Sequence, residues 1–319
     1  MREHVSRRDC HGWCRMEELD ILLGIAIVAA VTISSITNLY FIRYFSRKPE
    51  VTVSSVAETE EPEEEGEPEN EETDGSPSKE QILARRGQLI RELEEERGTR
   101  VLTLIHRKEP WSTSEDEPEI VLEDSEVILQ HVRETPPDKP IDLIVHTEGG
   151  LTFAADLMAM ALRYHKAKVT VMVPFYAMSD GTYLVLAADE IMMEKCSILA
   201  PVEPLIDDMP ANAVMGILKR KPIETISDKT ILLAESARME NENAKEFVKW
   251  LLIDKMNEEQ ATQVANFLVG GYMASTTPIT LDVARAIGLN VVEGVPEKVH
   301  QLFETIEFTG GARPGKQYQ

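Results

Sequence analysis

Two short segments carry residue types that together can perform acyl-transfer chemistry. The first is Gly149-Gly150, which closes the apolar run Ile141 to Val145 and opens a helical stretch. Glycines there let the backbone turn sharply and bare its amides, and the following helix N-terminus adds positive potential, a combination that can stabilise an oxyanion. The second is Tyr176-Ala177-Met178-Ser179-Asp180-Gly181-Thr182, set between the apolar run Val169 to Val173 and a helix of small residues. A serine on such an elbow exposes its hydroxyl for nucleophilic attack, and the next amide, that of Asp180, supplies a second oxyanion donor. Alone, each segment reads as a turn or an N-cap. As a pair, thirty residues apart with one strand–helix unit between them, they point to a serine-hydrolase site at Ser179 with Gly149, Gly150 and Asp180 around the oxyanion.

The elements that must position these residues follow from apolar periodicity. Ser78 with Gln81 three residues on fits a capping box, and Ile82, Leu89, Ile90 and Leu93 form one stripe of a helix that ends near Gly98. Buried strands are predicted at Val101 to Ile105, Ile141 to Val145, Val169 to Val173 and Ile191 to Met193. Helices are predicted at Ser125 to Arg133, Phe153 to His165 and from about Ser179 onward. Strand–helix alternation with continuous apolar strands implies an α/β fold, a largely parallel sheet covered by helices. After Pro204 the pattern is mostly helical, at Lys229 to Met256, Glu258 to Leu268 and Thr280 to Ile287, the last capped by Thr280. Met158, Met160, Met192 and Met193 read as core packing.

Ahead of this domain the chain changes character. Ile21 to Ile42 is 22 residues without a charge; as a helix that is about 33 Å, enough to cross a bilayer. Tyr40 and Phe41 fall where interfacial aromatics are expected, and Arg43, Arg47 and Lys48 follow at once, which predicts a retained anchor with the large C-terminal part in the cytoplasm. Eleven acidic residues and no basic ones lie between Glu58 and Asp74, about half of the net charge of −23. That stretch, rich in Glu, Pro, Ser and Gly, reads as an extended, disordered linker. The expected organisation is a polar head (1–18), a transmembrane helix (19–42), an acidic linker (43–78), a folded domain (79–309, with 79–97 as lead-in helix) and a flexible tail (310–319).

Composition excludes several classes. The acidic balance argues against a nucleic-acid partner, because phosphate contacts need clustered Lys and Arg. Cys10, Cys14 and Cys196 do not make a disulfide framework, and Cys10, His11 and Cys14 fall short of the four ligands of a closed zinc site. No metal or organic cofactor is called for.

Ile141 through Gly150, Lys168 to Val171, Ala177-Met178-Ser179-Asp180-Gly181-Thr182 and Ala187-Ala188-Asp189-Glu190-Ile191 resemble the serine dehydrogenase proteinase family, which stands with signal peptide peptidase A and ClpP in the Clp/crotonase clan. The resemblance runs from about Ile82 to Pro296 and includes Arg97-Gly98-Thr99-Arg100, Leu104-Ile105-His106-Arg107, Glu123-Asp124-Ser125-Glu126 and Pro278-Ile279-Thr280. It implies a ClpP/crotonase-like spiral of strand–helix units, a preceding transmembrane helix, a peptide or protein substrate, a homo-oligomer, and Ser179 as nucleophile with the amides of Gly150 and Asp180 at the oxyanion. The chain departs from the family at Glu148, where proline is usual, at Asp180, where glycine is usual, and at Ser275-Thr276-Thr277, where His-Asp-Tyr is common.

By the same resemblance, a ClpP-like histidine would fall near Val202-Glu203-Pro204, where there is none. His146 and His165 read as structural or surface residues. A Ser–Lys dyad is the other option. Lys229 lies fifty residues after Ser179, close to the dyad spacing of signal peptide peptidase A, although Ser227-Asp228 also marks a helix start where a lysine is solvated. Lys195 and Lys219-Arg220-Lys221 read as surface charge. The expectation is therefore a membrane-anchored serine peptidase. A catalytically inactive peptide-binding scaffold is the alternative, and an acyl-CoA enzyme of the crotonase type ranks third, since it explains neither the elbow serine nor the anchor.

Overall fold

The computed structural model describes residues 77–107, 109 and 119–306. The expectations for the polar head, the membrane span, most of the linker, Cys10, Cys14 and the C-terminal tail fall outside the described residues. Among the described residues, no helix is long and apolar enough to cross a membrane.

The described part begins where the capping signal sits. Ser78 accepts from the Gln81 amide at 3.3 Å, the Gln81 side chain accepts in return from Ser78 N–H at 2.9 Å, and helix α1 runs Lys79–Arg97 to a left-handed Gly98 (φ 66°). Strand β1 (Arg100–Ile105) follows, then α2 (Leu122–Glu134), β2 (Ile141–His146), α3 (Thr152–Tyr164) and β3 (Val169–Val173). Next come β4 (Tyr176–Ala177), α4 (Asp180–Ala187), β5 (Glu190–Met193) and β6 (Ile198–Leu199). A small hairpin, β7 (Leu205–Ile206) and β8 (Met209–Pro210), leads into α5 (Ala211–Arg220). The long α6 (Asp228–Leu252) and α7 (Glu258–Val269) precede β9 (Ile279–Thr280), α8 (Leu281–Ala286), β10 (Val291–Glu293) and α9 (Glu297–Glu304).

The main sheet has the order β1-β2-β3-β5-β10 and every pairing in it is parallel. Helices cover both faces, which is why the strands read as continuous apolar runs. The two faces are told apart by the period of two along each strand. Ile141, Leu143 and Val145 pack with Val171, Ile191 and the helices α3, α4, α6 and α7 in the larger core. Ile144, Met172 and Val101 turn to the other side, against Leu89 and Leu93 of α1 and Val299, Leu302 and Phe303 of α9. Asp142 points to that second side; fully buried, it is held by Arg97 and by the Thr99 hydroxyl at 2.8 Å, so the charge is paired rather than stranded.

A second, three-stranded sheet, β4-β6-β9, stands beside the first. It joins the main sheet at the site: Thr147, just past β2, bridges to Ala177 of β4. The short strands β4 and β6 to β10, the β7–β8 hairpin among them, and helices α5 and α9 were absent from the sequence reading. Two- and three-residue strands carry no readable period.

Candidate active site

Ser179 lies where the chain leaves β4 and enters α4, and its backbone is unusual. Its φ of 49° with ψ of −121° is a region that side-chain-bearing residues occupy only under constraint. The constraint is visible. Met178 N–H donates to Thr147 O at 3.0 Å, Gly181 N–H to Met178 O at 2.8 Å and Thr182 N–H to Ser179 O at 2.8 Å. The Thr182 hydroxyl then reaches Ala200 O at 2.8 Å. Behind the elbow, all eight residues of α4 are buried. Gly181 lets this helix approach: a Cβ there would come within 2.5 Å of the Thr147 methyl.

Gly149 and Gly150 face the elbow from the end of β2. Gly149 (φ 119°) touches it, since a Cβ on Gly149 would lie 3.0 Å from the Ser179 Cβ and 3.4 Å from the Asp180 amide. Its own N–H does not point at an oxyanion; it donates to the Thr147 hydroxyl at 3.1 Å. This corrects the sequence reading for one of its three oxyanion residues: Gly149 serves by lacking a side chain, not as a donor. The Thr147 hydroxyl is fixed in turn by His106 Nδ1 at 2.7 Å, whose Nε2 meets Asp124 at 3.2 Å. His106 and Asp124, noticed in the sequence only as parts of a resemblance, thus brace the glycine turn through Thr147. Gly150 (φ 149°) lies under an extended crossing segment: Ile120 N–H donates to Gly149 O at 2.8 Å and Leu151 N–H to Ile120 O at 2.8 Å.

Asp180 is the residue that most changes the picture. It is 6% exposed. Burial pushes its carboxyl up, against the pull of the Thr152 hydroxyl, the Gly150 amide, its own amide and the Ser179 hydroxyl. The carboxyl thus lies close to both amides assigned to the oxyanion and to the Ser179 hydroxyl.

Ser179 opens into a cavity of about 470 Å³. Carboxyls from five separate segments line it: Glu119, Asp156 on α3, Asp180, Glu203 and Glu240 on α6. Tyr183, Val202 and Phe247 supply apolar wall. Burial, with the charges of Asp180 and Glu240, raises Asp156 to about 7. Among the described residues, no lysine, arginine or histidine lines it.

The residues considered as bases are placed as follows. Val202-Glu203-Pro204 does line the cavity, carrying a glutamate at the expected position of a histidine. Lys229 is exposed in the first turn of α6, beside a Ser227 that caps the helix by accepting from Thr230 N–H, and lies outside the cavity lining; the structure does not bring it to Ser179. His146 is fully buried among Phe175, Tyr176 and Phe303, accepts from Arg107 Nε at 3.1 Å, and is pushed down to about 3 by burial and by the charges of Arg107 and His106. His165 is bonded to Lys139 O at 2.7 Å. Both are structural, as read. Asp156, Glu119 and Glu240 were missed; the signal available was Asp156, a carboxylate among Ala154, Ala155, Met158 and Ala159 on an otherwise apolar helix.

The family model for the ClpP-like SDH-type serine proteinases matches residues 76–319. The chain belongs to that family. Two uncharacterised proteins of Methanocaldococcus jannaschii, MJ1495 and MJ0137, are similar to it. They are 42% and 40% identical over 239 and 226 residues, covering 74% and 70% of this chain and 81% and 79% of theirs. Among solved structures, a serine-to-alanine mutant of the 1510-N membrane-bound stomatin-specific protease aligns with 64% of this chain and 82% of its own, at 14% identity and a TM-score of 0.41. For a ClpP-like SDH-type proteinase, the departures at Glu148 and Asp180 differ in weight. Glu148 is exposed, whereas Asp180 is buried against the serine.

Proposed function

We propose that this ClpP-like proteinase is a membrane-anchored serine peptidase that cleaves peptides or membrane-protein segments, with Ser179 as nucleophile. The observation that carries the reading is the backbone of Ser179, held at φ 49° against Gly149 at the mouth of a cavity. In the acylation step the Ser179 oxygen adds to the scissile carbonyl, its proton passes to an acceptor, and the amine leaves with a proton. The carbonyl oxygen, now charged, takes the amides of Gly150 and Asp180. An acceptor beside the Ser179 hydroxyl is the Asp180 carboxyl, which burial makes a stronger base than a solvated carboxylate. Lys229 lies outside the cavity, so a Ser–Lys dyad within one chain is not part of this reading. Anchoring by residues 19–42, contact with lipid there, a cytoplasmic position of the folded domain and assembly into a homo-oligomer complete the proposal on the grounds given from the sequence.

A second reading, an inactive peptide-binding scaffold, is favoured by one observation: the buried Asp180 carboxyl stands beside both oxyanion amides, where a developing oxyanion would meet it. A fluorophosphonate probe separates the two. The full chain in detergent is expected to be labelled at Ser179 and the Ser179→Ala variant to remain unlabelled. No labelling of a folded chain at any pH between about 5 and 9 would sink the peptidase reading and leave the scaffold.

A further inference from the structure

The cavity beside Ser179 has an unbalanced charge. Five carboxyls line it, and none takes part in an ion pair among the described residues. Asp156 Oδ1 is enclosed and has no hydrogen-bond partner there. Groups so arranged repel one another, and that repulsion contributes to keeping Asp156 near neutrality at about 7. For Asp156, Asp180 and Glu203, which are buried or half-buried, a carboxylate left without a cationic partner costs free energy that an incoming cation recovers.

The geometry says what kind of cation fits. Among the described residues, no three His, Cys, Asp or Glu side chains stand close enough together to hold a metal ion. The carboxyls are instead spread around a space of about 470 Å³, far larger than an ion needs. The wall between them is apolar and aromatic: Val202 is buried, and Tyr183 meets Phe247 edge-on with ring centroids 5.2 Å apart. An alkyl stem needs that wall and a charged tip needs the acids.

We propose that this cavity receives the side chain of a lysine or arginine of a bound peptide, its stem against Phe247 and its charge among Asp156, Glu203 and Glu240. The inference rests on the proposed peptidase reading for the fate of the peptide, but not for its binding. Asp180 is buried, Asp156 and Glu203 are half-buried, and Glu119 and Glu240 are exposed, so the lining grades from enclosed to solvated carboxyls. Selection acts by both attraction and rejection, since an acidic side chain meets repulsion on every side. Binding of a basic peptide weakens as pH falls through about 7, where Asp156 takes up a proton.

The test uses the full chain carrying Ser179→Ala, so that no cleavage intervenes, with matched fluorescent pentapeptides. Their central residue is lysine, arginine, norleucine or glutamate, and anisotropy is read at pH 8 and moderate salt. The lysine or arginine peptide is expected to bind about tenfold or more tightly than the norleucine peptide, a difference of about 1.4 kcal/mol, with the glutamate peptide weakest. Glu240→Gln and Asp156→Asn are each expected to shrink the preference several-fold while melting as cooperatively as the parent. Equal or tighter binding of norleucine overturns the proposal, as does a lysine preference that both variants leave unchanged. Binding of neither peptide also overturns it. Probe labelling of the Ser179 chain reports separately on the peptidase reading. A lysine preference without labelling leaves this inference standing alone, and labelling without a preference does the reverse.

Discussion

The crossing of Ile120 over Gly150 allows a substitution to be worked through in advance. A Cβ on Gly150 would lie 2.4 Å from both the nitrogen and the oxygen of Ile120, atoms of a backbone that cannot rotate away as a side chain can. Gly150 also sits at φ 149°, at the margin of the region that favours glycine. Gly150→Ala therefore lifts the Glu119–Val121 segment off the glycine turn. The segment is held by two backbone hydrogen bonds, each contributing about 1 kcal/mol net. It is held as well by burial of Ile120 at 1% exposure, a side chain whose burial contributes about 1.5–3 kcal/mol. The variant should thus lose about 3–5 kcal/mol, which for a domain of this size lowers the melting temperature on the order of 10 °C. Because the segment also carries Glu119 into the cavity lining, the loss should be local as well as global. Hydrogen exchange followed by mass spectrometry should show the amides of Ile120 and Leu151 losing protection, with those of β2 and β3 unchanged below the melt. A variant within 1 kcal/mol of the parent, with Ile120 still protected, would refute the account of why glycine is required here.

Two further outcomes follow from the same geometry. Ser179→Gly should be more stable than Ser179→Ala by about 1–2 kcal/mol in chemical denaturation, since both lose the hydroxyl and only glycine relieves the strained φ. It should also equal or exceed the parent, whereas Ser227→Gly, at an ordinary cap that bonds Thr230, should fall a few tenths of a kcal/mol below it. For Asp156 the sign is fixed by its raised pKa: the folded state binds the proton more tightly than the unfolded chain, so stability declines as pH rises from the ordinary 3.8 to about 7. Asp156→Asn should accordingly melt like the parent below about pH 4, gain progressively between pH 4 and 7 and hold that gain above, and a gain independent of pH would contradict the assignment.

The sequence was most informative where elements are long and buried. Its four strands and the capped helix α1 stand within a residue or two of their predicted places, because a parallel sheet covered on both faces leaves unbroken apolar runs. The approach of Gly149 to Ser179 was also legible, as paired glycine and serine turns separated by one strand–helix unit. What surrounds the serine was not. Asp156, Glu203 and Glu240 come from α3, the loop before β7 and α6, and apart from the lone acid among the apolar residues of α3 no local pattern marks carboxylates that meet only through packing. Gly149 was misread as a donor because backbone spacing cannot say that the Thr147 hydroxyl takes its N–H. Lys229 was considered on spacing alone, and the same Ser227-Asp228 that suggested a helix start placed it in solvent.

The strained serine and the carboxyl beside the oxyanion amides pull toward opposite readings, and the charge of the cavity reconciles them. A groove that only bound peptides could hold the same turn with glycine at no conformational cost, so a serine kept at φ 49° speaks for chemistry. Against it stands a buried carboxyl beside both amides and the serine hydroxyl. A developing oxyanion would therefore form next to a second negative charge. The question is then how the charge of that carboxyl is met. Burial already favours its protonated form, which is the form it reaches on accepting the Ser179 proton, and a neutral carboxyl no longer opposes the oxyanion. A lysine or arginine seated among Asp156 and Glu240 lowers the remaining repulsion at the same moment. On this account, removing the Asp180 charge without a cationic substrate should lift the repulsion but abolish the acceptor, so Asp180→Asn should keep the lysine preference in peptide binding while losing probe labelling at Ser179. Labelling by Asp180→Asn at the parent's rate would show that the proton goes elsewhere, and the base would then have to come from outside this chain's cavity.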